Sequence, residues 1–102
     1  MHAGDQPKLL FTEVFDERLA FEVEQKGWCS IGIVELPSGT QIKVFFYDPV
    51  RLAQDLETDL ASGEVCIAEV GMIVIPKITR EYMEKAVHRL FKKGFFNNFV
   101  PV

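Results

Sequence analysis

Two β-rich runs joined by a four-residue turn constrain this chain more than any other feature. Residues 28–47 read WCSIGIVELPSGTQIKVFFY. Pro37 suits the first corner of a type I turn, and Gly39 suits the left-handed position that closes it. The turn fixes a register in which Leu36 opposes Thr40, while Val34, Gly32 and Ser30 oppose Ile42, Val44 and Phe46. Ile42, Val44, Phe46 and Val34 then share one face of the hairpin. Ile31, Ile33, Phe45 and Tyr47 share the other. Both faces are partly apolar, so the hairpin is expected to be covered on both sides, by helices on one and by a partner on the other.

The hairpin runs into a corner at FFYDPVRLAQDLETDL, residues 45–60. Asp48 is a favoured N-cap, because its carboxylate accepts an N–H that the first helical turn leaves without a partner. Pro49 fits the first helical position, where no N–H is missed. Leu52, Ala53, Leu56 and Leu60 form an apolar stripe, and Gly63 supplies the stop. An incoming anion at this helix N-terminus would meet the Asp48 carboxylate, and no glycine lets backbone approach a phosphate there. The corner therefore reads as structural.

Elsewhere the pattern predicts more strand. Leu19, Phe21 and Val23 alternate with Ala20, Glu22 and Glu24, as in a half-buried strand with an acidic outer face. Residues 9–15 read as a strand before it, although Leu10, Phe11, Val14 and Phe15 also fit one helix face. VCIAEVGMIVIP, residues 65–76, reads as two short strands around Glu69-Val70-Gly71. A last helix runs from Thr79 to Lys93, with Met83, Ala86, Val87, Leu90 and Phe91 on one side and Gly94 as its stop. Residues 1–7 read as a flexible leader and residues 95–102 as an aromatic tail. The expectation is one α+β domain over 1–102. It has an antiparallel sheet of about five to six strands with two helices, in the order β-β-β-β-α-β-β-α.

A chain of 102 residues, 48% hydrophobic with nine Phe, carries enough apolar mass for a core without metals or disulfides. Its formal charge is −4, which opposes non-specific nucleic-acid binding. The charge is divided unevenly. Residues 1–69 hold 13 acids and 5 bases, whereas residues 70–102 hold 2 acids and 6 bases. Residues 49–64 have a net charge of −3 and residues 79–94 one of +3. Two such helices side by side would offset each other, and on separate surfaces each would attract an opposite charge on another molecule. Asp5 and Pro7 interrupt any signal-like apolar stretch, and no apolar run is long enough for a bilayer, so a cytoplasmic location with no membrane partner is expected. Cys29 and Cys66 sit in β-like runs and are expected to be buried thiols.

Little in the sequence points to catalysis. His2 and His88 are far apart, the cysteines share no CxxC spacing, and no metal or cofactor is expected. Glu22 and Glu24 would project together from a strand, about 7 Å apart, but an exposed acidic face is their simpler role. No GxGxxG, Walker, GxSxG or HExxH pattern occurs, and no catalytic residue is assigned. Trp28, Tyr47, Asp48 and Arg51 form the best polar group beside aromatics and are the candidate ligand-binding residues. Phe95, Phe96 and Phe99 are the candidate interface residues.

The expected function is that of a small non-enzymatic protein-interaction domain, a homodimer. Two alternatives are a small-molecule binder or minor enzyme with a pocket at Trp28–Arg51, and an acidic inhibitor, of the immunity or antitoxin kind, of a basic partner.

Overall fold

The computed structural model describes residues 5–99. In chain order it places β1 at Lys8–Phe11, α1 at Glu17–Lys26, β2 at Trp28–Glu35, β3 at Gln41–Tyr47, α2 at Pro49–Ala61, β4 at Met72–Val74 and α3 at Arg80–Lys92, with a 3-10 turn at Phe95–Asn98. The class is α+β. The sheet has four strands in the order β1-β2-β3-β4. It is mixed rather than antiparallel: β1–β2 and β2–β3 are antiparallel, whereas β3–β4 is parallel. Strand number, helix number and element order thus differ from the sequence expectation, and each difference has a local cause.

Residues 17–26 form a helix and not the expected strand. The Asp16 carboxylate accepts the Leu19 N–H at 2.9 Å, Glu17 lies in the first turn, and Gly27, at φ 71°, ends the helix with its N–H on the Val23 carbonyl. Those caps satisfy backbone groups that the alternating pattern ignores. Val23 is buried, but Phe21, which alternation would place beside it, is 66% exposed. Glu22 and Glu24 therefore diverge around the helix, and Glu22 pairs with Arg18 instead. Upstream, the strand stops at Phe11, and Phe15 folds back to stack on it with ring centroids 4.4 Å apart.

The hairpin forms as its turn dictates, with Gly39 at φ 91° and Leu36 donating to the Thr40 carbonyl at 2.8 Å. Val34 faces Ile42 and Gly32 faces Val44, as expected, but Cys29 rather than Ser30 faces Phe46. A β-bulge at Ser30–Ile31 absorbs the extra residue. Gly32 marks a close approach: a Cβ there would stand 3.0 Å from Val44 and 3.1 Å from Phe46.

After α2 the chain does not form the second expected hairpin. Residues 65–70 are not a strand, and Val65 is 83% and Val70 80% exposed. Cys66, expected to be buried, is consequently exposed, whereas Cys29 is buried. The α2 crossover returns the chain to lie beside β3 in the same direction, so β4 pairs parallel, Phe45 with Met72 and Tyr47 with Val74. Ile73 and Ile75 turn into the core while Val74 stays exposed, so only one side of this short edge strand is covered.

The core occupies the sheet face bearing Leu9, Val34, Val44, Phe46 and Ile73. α3 closes it with Met83 and Val87, both at 0% exposure. Thr79 caps α3 and Gly94, at φ 78°, follows its end. Phe96 is buried in the same core, and half-buried Phe95 and Phe99 pack on it. The tail thus folds onto its own chain as far as Phe99. Residues 100–102 lie outside the described part, as do 1–4 of the expected leader. Pro7 is buried and Gln6 reaches His88 Nδ1 at 3.3 Å.

The opposite face carries Trp28, Ile33, Phe45 and Tyr47, and α2 leans on it. Leu52 and Leu56 of its expected stripe are half-buried, Ala53 and Leu60 are exposed, and none of its residues is fully buried. The two sides of the sheet are therefore packed very unequally.

Candidate functional site

Trp28, Tyr47, Asp48 and Arg51 come together where β2 and β3 meet α2. Trp28 pairs with Tyr47 across the strands. The Asp48 carboxylate accepts the Arg51 N–H at 2.7 Å, and the Asp48 N–H donates to the Gly27 carbonyl at 2.9 Å. The chain thereby ties the end of α1 to the start of α2. A Cβ on Gly27 would stand 2.6 Å from the Asp48 carboxylate, so glycine is required there for space as well as for its φ of +71°. The Arg51 guanidinium lies 5.8 Å from the Trp28 ring centroid, pairs with Asp55 at 2.9 Å and donates to the Lys26 carbonyl at 3.2 Å.

Asp48 is thus used as a helix cap, and Arg51 is held by Asp55 and the Lys26 carbonyl. Tyr47 is 6% exposed. Burial pushes its phenol up from the ordinary value, and the Glu69 carboxylate adds to this, while Trp28 and Arg51 pull it back. Burial likewise pushes the Cys29 thiol up, which makes it a poor nucleophile. Among the described residues, no three of His, Cys, Asp and Glu converge as a metal ion would require. A hollow of about 310 Å³ lies over the bulge and is lined by Thr12, Ser30, Ile31, Ile33, Gln41 and Lys43. It holds one cation and no acid or base to act with it.

Replacing Asp48 by Ala is expected to cost about 1 kcal/mol, or about 5 °C in Tm, because the cap is lost, with Asn restoring most of it. Thermal melts of the two variants check this. An Asn variant as unstable as the Ala variant would show that the negative charge matters rather than the cap.

A second surface joins the acidic helix that the charge distribution marked to a segment that was expected to be strand. It consists of the outer side of α2 and the segment 62–70. Leu60 is 54% exposed, and Val65 and Val70 follow it in the chain, also exposed. Glu57, Asp59, Glu64 and Glu69 accompany them and make no ion pair among the described residues. The usable signal was the bracketing of VCIAEV by Gly63 and Gly71, both with positive φ, which lets the segment leave the sheet. The candidate interface residues lie on the other side of the molecule: Phe95, Phe96 and Phe99 form one ring cluster, with centroids 5.1–6.0 Å apart.

No protein family, curated protein or solved structure matches the chain. Among the described residues no helix is long and apolar enough to cross a membrane.

Proposed function

We propose that this protein is a non-enzymatic interaction domain that works through α2 and the segment 62–70. The observation that carries this reading is a helix of 13 residues none of which is fully buried, followed by a segment with valines at 83% and 80% exposure. Apolar surface left in water without a packing role marks a contact region. The unpaired carboxylates around it supply steering and discrimination between partners. A ligand pocket at the Trp28–Arg51 corner has less support, because Asp48 already caps α2 and Arg51 is already held by Asp55 and the Lys26 carbonyl.

Native mass spectrometry of the purified protein tests the reading. A homo-oligomer or a stoichiometric protein complex without added small mass is expected. A monomer carrying a stoichiometric small molecule would overturn the proposal and return attention to Trp28, Tyr47 and Arg51.

A further inference from the structure

The two charged helices do not neutralise each other within one chain. α3 packs on the core face through Met83 and Val87. α2 rests on the opposite face, where Arg51 covers Trp28. No ion pair joins the two helices among the described residues, and exposed charges farther apart than a Debye length of about 8–10 Å attract each other little in solution. Within α3, Arg80 is paired with Glu84 and Lys85 with Glu81. Arg89, Lys92 and Lys93, in and just after the last turn, make no ion pair among the described residues. Within α2, Arg51 is used by Asp55, and Glu57 and Asp59, with Glu64 just after the helix, make no ion pair among the described residues. The molecule thus presents an acidic surface with exposed apolar side chains on one side. On the other it presents a basic helix end next to half-buried Phe95 and Phe99.

From this division, and resting on the interaction reading above, we infer that the partner is a second copy of this chain, whose α3 end docks on the α2 surface. Contact between two α2 surfaces would oppose like charges and is disfavoured. Contact between α2 of one copy and the α3 end of another brings Glu57, Asp59 and Glu64 to Arg89, Lys92 and Lys93. It also covers Leu60 and Val65 with the aromatic turn that follows α3. The occupant of the acidic surface is therefore encoded on the far side of the same protein.

A charge-swap experiment tests the pairing. One variant carries Glu57→Lys, Asp59→Lys and Glu64→Lys, and the other carries Arg89→Glu, Lys92→Glu and Lys93→Glu. Sedimentation velocity at low salt reads association of the wild type, of each variant and of their equimolar mixture. Wild type is expected to associate, and more weakly as salt rises. Each variant alone should associate at least about tenfold more weakly, since it opposes like charges. The mixture should recover, because each variant then offers the other an opposite surface. Reversal at the end of α3 also opposes the helix dipole, so Arg89→Ala with Lys92→Ala serves as a milder version, checked by circular dichroism. Association that neither reversal weakens, or a mixture of folded variants that does not recover, would overturn the pairing and leave the interaction reading standing. A wild type that stays monomeric at low salt would overturn self-association as such, and the interaction reading would then depend on a different protein partner.

Discussion

Phe46→Ala is expected to remove about 3–5 kcal/mol of stability, a loss at the upper end for truncation of a single side chain. Phe46 is 0% exposed and stands on β3, one of the two central strands of the sheet. Its ring occupies the space above Gly32, where even a Cβ would come within 3.1 Å of it. Val34, Val44, Ile73 and Met83 belong to the same buried cluster, so truncation would leave a cavity walled by two sheet partners and α3. A domain of this length has about 5–15 kcal/mol in total, so the variant would be partly unfolded at about 37 °C. Urea denaturation followed by far-UV circular dichroism would read the midpoint. Phe21→Ala is the matched control: Phe21 is 66% exposed on α1, and its loss should change stability by less than about 0.5 kcal/mol. Equal effects at the two positions would mean that the sheet face assigned to the core is the wrong one.

That contrast shows where the sequence was legible. Phe46 and Phe21 both sit in runs that alternate with period two, yet one run is a strand and the other a helix. The hairpin was readable because turn chemistry at Pro37–Gly39 and the apolar pattern on both flanks agree. At 17–26 they conflict, and the caps at Asp16 and Gly27 prevail over the alternation of Leu19, Phe21 and Val23. The Asp48 corner was legible for the same reason, since cap, proline and stripe all point to one helix start. What the stripe could not reveal was how little α2 would bury. Leu52 and Leu56 have the right spacing, but burial depends on what the sheet offers opposite them. The Arg51 and Asp55 side chains, on the same side of the helix, hold part of that contact polar. The gathering of Trp28, Tyr47, Asp48 and Arg51 followed from strand register and one helical turn, both local quantities. The acidic surface at 62–70 depends on a segment failing to pair, and the β-propensity of VCIAEV argues against that outcome.

The second large effect is expected at Gly71, the residue that brings the chain back to the sheet after that segment. Gly71 has φ +87°, a conformation in which a side chain is strained. An added Cβ would also run into the Lys43 carbonyl oxygen, and that neighbour is backbone of β3 that cannot step aside. The same residue holds the register of the parallel pair, since its carbonyl accepts the Phe45 N–H at 3.0 Å just before Met72 pairs with Phe45. Gly71→Ala therefore combines conformational strain with a steric collision, and a loss of about 3 kcal/mol is expected. Gly39→Ala and Gly63→Ala separate the two contributions. Both positions have positive φ, at 91° and 96°, but a Cβ at either meets nothing within 4 Å. They should lose only about 1 kcal/mol each. Chemical denaturation gives the three values, and hydrogen exchange locates the damage. In Gly71→Ala the amides of Phe45 and Ile75, which bond to Gly71 and Tyr47 across the β3–β4 pair, should lose protection before those between β1 and β2. A loss no larger than that of Gly39→Ala would mean that β4 shifts to accommodate the methyl group. The parallel pairing would then be a soft attachment, and the acidic segment ahead of it would have no fixed position from which to present its valines.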